Sequence, residues 1–128
     1  ENDDAAAGVI VALRTEGMSG VPVSGDGATL GGIRRVLTGE QCLTVHRPAT
    51  LLAGAAAEIA TALARRHTPT GATETRKAGP LTIPAQLISP IAVTAETVAR
   101  TVIADGTTTW EEICIPDIAF ACPPAEDR

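Results

Sequence analysis

The sequence predicts an α/β protein with an open, mainly parallel sheet and flanking helices. Helix-type and strand-type patterns alternate in the order α-β-α-β-α-loop-β-α, which is typical of strands joined by helical crossovers. Apolar residues make up 45% and charged residues 20% of the 128 residues, as in globular domains. Because aromatic residues make up only 2%, the core must consist of Ala, Val, Ile and Leu.

Three helices are expected in the first half of the chain. Residues 4–16 follow Asn2 and Asp3, which can cap the free N–H groups of a first turn. Residues 29–38 form the second helix. The third helix covers residues 50–66 and carries an apolar stripe that we expect to be buried, formed by Leu51, Leu52, Ala55, Ile59 and Leu63.

The predicted strands are short and end at structure-breaking residues. Residues 21–24 and 42–45 are β-type runs, and the second ends at His46-Arg47-Pro48 because proline disfavours helix in the residue before it. Residues 68–80 are polar and contain Gly and Pro, so they predict a loop. The remaining expected elements are a strand over 85–88 extended by 91–93, a helix over 94–101, and an irregular tail from Asp105.

Charge and hydropathy exclude several classes of protein. The net charge of −5 and the pI of about 4.9 argue against a phosphate-binding surface, so we expect no nucleic-acid partner. The basic pairs Arg34-Arg35, Arg65-Arg66 and Arg76-Lys77 are interpreted as solvated faces. No apolar run approaches the ~20 residues of a membrane-spanning helix. The chain begins with Glu1 rather than Met, so we expect either that an upstream segment was removed or that the chain is a piece of a longer protein.

The glycines of residues 25–31 raise the question of a dinucleotide site. They form a GxGxxxG pattern between a strand and a helix, where glycines can let a pyrophosphate approach the helix N-terminus. The next strand, however, ends at His46-Arg47-Pro48 without the acidic residue that binds ribose. A glycine-containing turn is therefore the favoured interpretation, and we expect no cofactor.

The three cysteines allow a disulfide but predict no metal site. Cys42 lies in a predicted strand and is expected to be a small buried hydrophobe. Cys114 and Cys122 form a disulfide if the protein is exported and remain thiols if it is cytosolic. A metal site would need further ligands nearby, whereas His46 and His67 are distant in sequence.

No catalytic constellation is found, so we expect no enzyme. Of the three serines, Ser19, Ser24 and Ser89, none occupies a nucleophile elbow. A lone histidine before Arg-Pro, as His46 is, is more often structural than a general base. The polar groups at the predicted strand ends offer directed donors and acceptors that suit a neutral polyol, and they are Asn2, Asp3, Asp26 and Arg47.

These residues lie within motifs that resemble the C-terminal part of periplasmic sugar-binding proteins, most closely the D-xylose-binding branch of ABC-transporter receptors. The motifs are Asn2-Asp3, Val21-Pro22-Val23-Ser24-Gly25, Gln41-Cys42-Leu43-Thr44-Val45-His46-Arg47-Pro48, and residues 55–60, 89–94 and 101–106. They cover nearly the whole chain in the order that the family has.

The resemblance implies a set of sugar-contacting positions. Asn2, followed by Asp3, matches the family's sugar-contacting Asn. The family's Ser-Gly-Gln-Asp turn corresponds to residues 24–27, so Gly27 occupies the Asp position and an acid, Asp26, appears one place earlier. Arg47 takes the place of a Lys that contacts sugar, and its planar guanidinium can bind two hydroxyls.

The resemblance also implies how the chain is divided and what it does. Residues 1–46 would belong to the second lobe of a two-lobed receptor, residues 47–93 to the first lobe, and residues 94–128 to the second lobe and a tail. The receptor would be periplasmic or extracellular, with or without a lipid anchor, and would contain a disulfide between Cys114 and Cys122. Its partners would be a monosaccharide such as xylose and a membrane permease, and the full-length protein would be a monomer.

Two other functions remain open at this point. One is the ligand-sensing domain of a sugar-responsive transcription regulator, which would carry a DNA-binding segment upstream. The other is a small α/β enzyme, for which no catalytic residues were found.

Overall fold

A computed structural model describes residues 2–127, which fold into two compact units. The first unit contains the residues up to His46 and those from Pro90 onward, and the second unit is Arg47–Ser89. The chain therefore crosses between the units after His46 and again after Ser89. The sequence predicts the return crossing after Val93, whereas the residues from Pro90 onward already lie in the first unit.

The helices and strands follow one another along both units. In chain order they are α1 (Asp3–Thr15), α2 (Leu30–Leu37), β1 (Thr44–His46), α3 (Ala49–Ala64), β2 (Glu74–Ala78), β3 (Leu81–Ala85), β4 (Ile91–Val93), a π-helical turn (Ala99–Ile103), α4 (Trp110–Ile113) and 3-10 turns at Pro116–Ala121 and Ala125–Asp127. None of the helices within residues 2–127 is long and apolar enough to span a membrane.

The first two helices begin where their capping residues predict. The Asn2 side chain accepts a hydrogen bond from Ala5 N at 2.9 Å and thereby caps α1. Thr29 caps α2 by accepting from Gly32 N at 3.1 Å. The predicted helices over 4–16 and 29–38 are therefore confirmed, with ends displaced by one residue.

The first unit combines parallel and antiparallel pairing. Residues 23–27 run parallel to residues 42–45, with Cys42 N donating to Val23 O and Gly25 N donating to Leu43 O. The strands β1 and β4 pair antiparallel, with Thr44 opposite Val93. The reason is connectivity, because the chain leaves the first unit at the end of β1 and returns into it along β4. The parallel sheet expected from the sequence is thus short and has an antiparallel strand beside it.

The core of the first unit is formed by segments that are distant in sequence. Its members are Ala28, Ile33, Val93, Val98, Val102, Trp110 and Ile113, so the core expected to be aliphatic also contains a tryptophan. The last two lie on α4, which is held by a capping box between Thr109 and Glu112. The expectation of an irregular tail from Asp105 is therefore wrong, since α4 supplies part of the core.

The helix expected over residues 94–101 is also wrong. A turn occupies its first half and a π-helical turn, Ala99–Ile103, follows. The backbone bonds are irregular here, since Val98 O accepts from both Thr101 N and Ile103 N at 3.3 Å, while the hydroxyl of Thr101 donates to Thr97 O at 2.7 Å. Side-chain bonds of this kind compete with the backbone ladder of a helix.

The prediction of a disulfide is confirmed, whereas the prediction that Cys42 is buried is wrong. Cys114 and Cys122 are joined by a disulfide that closes the segment containing the 3-10 turn Pro116–Ala121. Cys42 is exposed rather than buried. The chain bends at residues 40–42 and β1 begins only at Thr44, so the inward-facing alternation of the strand does not extend back to Cys42.

The second unit contains α3 and a β-hairpin. The strands β2 and β3 pair antiparallel around a turn at Gly79, whose φ is +60°. The loop predicted over 68–80 is therefore wrong in its second half, which contains β2. The sequence did not reveal this strand because β2 is exposed at every position and has no apolar alternation. The strand predicted over 85–88 is displaced, since β3 ends at Ala85.

The apolar stripe of α3 is not buried as the sequence predicts. Leu51 is 59% exposed, Leu52 42% and Leu63 60%, and none of the residues of α3 is buried. Ala55 and Ile59 are half-buried. Within the described residues, the second unit thus covers only part of this face.

We predict that the amides of α3 exchange with solvent faster than those of α2 in the 128-residue chain. Fully buried Ile33 anchors α2, whereas α3 buries no residue, so protection factors in α3 should be at least about tenfold lower. Hydrogen exchange followed by NMR measures this. Equal protection in the two helices would contradict the prediction.

Removing the disulfide should weaken the first unit. For a loop of this length, the double variant Cys114→Ser/Cys122→Ser should lower the free energy of unfolding by about 2–3 kcal/mol. Urea denaturation followed by the fluorescence of Trp110, the single tryptophan, measures this change. The matched control is Cys42→Ser on the exposed cysteine, which should shift stability by less than about 0.5 kcal/mol.

Candidate functional site

Asn2 and the turn at Asp26–Gly27 lie side by side in the first unit. Asp3 N, the amide next to Asn2, donates to Asp26 O at 3.0 Å. Gly27 N in turn donates to Val45 O at 2.9 Å, which joins the turn to β1. The turn follows the carboxyl end of the parallel run, where open α/β sheets bind their ligands.

The side chain of Asn2 has an exposed donor to offer. Its carboxamide oxygen is engaged by Ala5 N as the cap of α1. The carboxamide N–H groups are therefore the part of this exposed side chain that suits an acceptor such as a sugar hydroxyl oxygen. The adjoining turn presents a half-buried Asp26 and an exposed Gly27.

Asp3 lies beneath these two groups and is fully buried. Its Oδ2 accepts from Thr29 N at 2.9 Å, from Thr29 Oγ1 at 3.0 Å and from Thr44 Oγ1 at 3.1 Å. Its Oδ1 accepts from Gln41 Nε2 at 2.9 Å. The carboxylate also lies at the first residue of α1 and at the cap of α2, so the positive ends of two helix dipoles meet at it.

These contacts favour the ionised form of Asp3. Burial by itself opposes ionisation, but the hydrogen bonds from Gln41, Thr29 and Thr44 outweigh it and hold the pKa of Asp3 below its usual range. Asp3 is therefore a buried carboxylate whose hydrogen bonds come from within the first unit.

Two glycines of this region make room for this carboxylate: Gly25, the first of the pattern noted in the sequence, and Gly32, the residue just after it. A Cβ at Gly25 would lie 2.2 Å from Asp3 Oδ1, and a Cβ at Gly32 would lie 2.2 Å from Asp3 Oδ2. Gly27 has a φ of +118°, a conformation that favours glycine. The two close approaches therefore make room for a side chain of the same unit, and no pyrophosphate is needed to account for them.

Two further residues support Asp3 and were missed by the sequence reasoning. Arg35 Nη2 donates to Asp3 O at 2.6 Å, and Arg35 Nε donates to Gln41 Oε1 at 3.2 Å. Gln41 is 1% exposed, and buried polar side chains normally have hydrogen-bond partners. The signal that the sequence offered was a polar residue directly before a predicted strand. The interpretation of Arg34-Arg35 as a solvated face is wrong, since Arg34 also donates to the carbonyls of Glu112 and Ile113.

His46 is buried at the end of β1 and pairs through Nε2 with the carboxylate of Asp105. Asp105 Oδ1 also accepts from Thr107 N at 3.0 Å and from Thr107 Oγ1 at 2.6 Å. Although desolvation raises it, the pKa of Asp105 is held below its usual range by the bonds from Thr107 and His46. The contacts of His46 are those of a structural residue at the chain crossing.

Arg47 is the first residue of the second unit and is exposed. The structure thus places Asn2, Asp3, Asp26 and Gly27 together in one unit, and Arg47 at the start of the other. Among the described residues, 2–127, there is no cluster of three or more His, Cys, Asp or Glu side chains that could hold a metal ion.

Known proteins resemble this chain in sequence. It is 44% identical over 106 residues to the D-xylose-binding periplasmic protein of Escherichia coli K12, and the match covers 82% of the chain. It is 42% identical over 113 residues to the protein of the same name from Haemophilus influenzae, with 88% of the chain covered. The chain spans about one third of the length of these relatives, 32% and 34%. No family model matches it.

Solved structures resemble the chain in fold. A carbohydrate transporter solute binding protein from Chloroflexus aurantiacus, in complex with D-glucose, superposes with a TM-score of 0.80 at 24% identity, over 87% of this chain and 33% of that one. An ABC transporter solute binding protein from Clostridium phytofermentans, with bound β-D-glucose, gives a TM-score of 0.76 at 21% identity, over 88% of this chain and 35% of that one.

The fold is therefore that of part of a sugar-transporter solute-binding protein. Within that class, the chain is a homologue of the D-xylose-binding periplasmic proteins, and its partial coverage of them fits a C-terminal portion. The resemblance seen in the motifs is confirmed.

Replacing Asp3 should remove a pH-dependent contribution to stability. Because the pKa of Asp3 is lowered by folding, its contribution is complete above the unfolded pKa of about 4 and is lost as the pH falls through the folded pKa. Asp3→Asn should therefore cost about 2 kcal/mol at pH 7, and the difference from wild type should shrink below about pH 4. Urea denaturation across this pH range measures it.

The control for this measurement is Asp4→Asn, which changes an exposed residue in the same first turn of α1. It should stay within about 0.5 kcal/mol of wild type at pH 7. A difference between Asp3→Asn and wild type that persists unchanged into acid would contradict an ionised Asp3.

Proposed function

We propose that this chain supplies one wall and two chain crossings of a monosaccharide receptor that serves an ABC-type sugar importer. The observation that carries the proposal is the joining of Asn2 to the Asp26 turn through Asp3, at the carboxyl end of the parallel run, in a homologue of D-xylose-binding proteins. The receptor binds its sugar between two lobes, delivers it to a membrane permease and catalyses no reaction. It acts in the periplasm or outside the cell, a setting in which the Cys114–Cys122 disulfide is stable.

The proposed ligand groups suit hydroxyl recognition. Asn2 provides N–H donors, Asp26 provides a carboxylate that accepts from hydroxyls, and Arg47 provides a planar fork of donors. A neutral sugar presents both donors and acceptors, so such a set can satisfy several hydroxyls at once. The neighbouring Gly27 adds an exposed backbone without a side chain, which leaves room for the ligand.

The division of the chain fits this role. We assign the first unit to the second lobe of the receptor and the second unit to the first lobe. The exposed stripe of α3, with Leu51 and Leu63, would then be covered by other parts of the first lobe, because large apolar faces of this kind are normally buried. The match covers only 32% and 34% of the relatives, so they have the length to supply that cover.

The sugar itself is proposed as xylose or a close monosaccharide. The homologues are named for D-xylose, whereas both structural neighbours hold glucose. Asp26 and Arg47 differ from the family motif, so the preferred sugar of this chain can differ from that of its relatives and has to be measured. Calorimetry on the full-length gene product with xylose, glucose, arabinose and ribose provides that measurement.

Arg47→Ala should weaken sugar binding by more than about tenfold, because hydrogen bonds from a charged group contribute about 1.5–3 kcal/mol. Titration calorimetry on the full-length product, with the sugar that binds wild type best, measures the loss. The matched control is Arg65→Ala, which removes another exposed arginine of the same unit and should leave the affinity within about twofold. Unchanged affinity in Arg47→Ala would remove Arg47 from the site.

A further inference from the structure

We infer that Asp3 is a positioning residue of the proposed sugar site, which fixes Asn2 and the Asp26–Gly27 turn relative to each other without contacting the sugar. The inference rests on the proposed function, because the site whose geometry it concerns is the sugar site. It changes the role expected from the sequence, in which Asp3 is one of the polar groups at the predicted strand ends that suit a polyol ligand.

The backbone of Asp3 makes the direct link between the two proposed ligand groups. Its amide is bonded to Asp26 O at 3.0 Å, and the preceding residue is Asn2. A movement of Asp3 would therefore displace Asn2 and Asp26 together. The carbonyl of Asp3 is held from the other side by Arg35 Nη2 at 2.6 Å.

The carboxylate of Asp3 fixes the far end of the same turn. Thr29 N and Thr29 Oγ1 both donate to Oδ2, and Thr44 Oγ1 donates to the same oxygen. Thr44 Oγ1 also accepts from Ala28 N at 3.0 Å. The turn is thus anchored through Asp26 at its start and through Ala28 and Thr29 at its end, with Asp3 common to both anchors.

A sugar has no access to this carboxylate. Asp3 is 0% exposed, and its two oxygens lie against Gly25 and Gly32 so closely that a methyl group at either glycine would overlap them. Gln41, itself 1% exposed, covers Oδ1 and is held by Arg35. The side chain acts through the residues it holds.

We expect the support by Asp3 to strengthen sugar binding, because it holds the ligand-binding groups in place before the sugar arrives. A site whose polar groups are already ordered loses less conformational freedom when the ligand binds, so disturbing the support lowers affinity without removing a ligand contact. The loss should appear mainly as faster dissociation, as is usual for changes within one binding site.

The test uses the full-length gene product and the sugar that binds it best in calorimetry. Asp3→Asn should weaken binding by at least about tenfold, and Thr44→Val by about three- to tenfold, since each disturbs hydrogen bonds to the buried carboxylate. Thr44→Ser keeps the hydroxyl and should restore most of the affinity lost in Thr44→Val. If Asp3→Asn does not fold, Thr44→Val, which preserves the shape of the side chain, still tests the positioning role of Asp3.

A variant matched for stability separates positioning from general destabilisation. Ile113→Val or Ile113→Ala, whichever lowers the melting temperature as much as Thr44→Val, changes the buried core of the same unit without removing a hydrogen bond to Asp3 or Thr44. Wild-type affinity in this control, with reduced affinity in the network variants, supports the inference. Equal losses in the control and the network variants, or wild-type affinity in all of them, overturn it. Failure of the wild type to bind any of the four sugars overturns the proposed function instead.

Discussion

The buried carboxylate of Asp3 organises the first unit of this protein. Hydrogen bonds to its two oxygens come from the cap of α2, from β1 and from Gln41, and its backbone amide holds the turn at Asp26. A buried charge is costly unless its partners are complete, and here two helix N-termini and several donors supply them. The close approach of Gly25 and Gly32 follows from the same requirement, because a larger side chain would displace the carboxylate.

The two chain crossings explain the mixture of strand directions. Since β1 leaves the first unit and β4 returns to it, their pairing must be antiparallel, although the neighbouring run at Ser24 pairs parallel with Leu43. His46 ends β1 in a buried pair with Asp105, so the residue before the first crossing is fixed to the first unit by its side chain as well as by its strand. The proposed ligand residue Arg47 follows directly from this fixed point.

The distribution of burial agrees with a chain that spans a third of its relatives. The first unit has a core that includes Ile33, Val98 and Ile113. The disulfide between Cys114 and Cys122 ties the C-terminal segment to the residue that follows α4. The second unit exposes large apolar side chains such as Leu51. An amphipathic pattern in a sequence indicates which face of a helix prefers burial, but it contains no information about whether the covering surface belongs to the same chain segment.

Local sequence determined the features whose energetics are local: the caps at Asn2 and Thr29, the ends of α1 and α2, and the family motifs that indicated a sugar-binding fold. Only the tertiary structure decided that Asp3 turns inward rather than toward a ligand. Its partners Thr29, Gln41 and Thr44 are 26, 38 and 41 residues away along the chain, and no periodicity or capping rule connects positions so far apart. Such contacts depend on how the helices and strands pack against one another. The packing sets the distances between polar side chains, and these distances decide which of the side chains become hydrogen-bond partners.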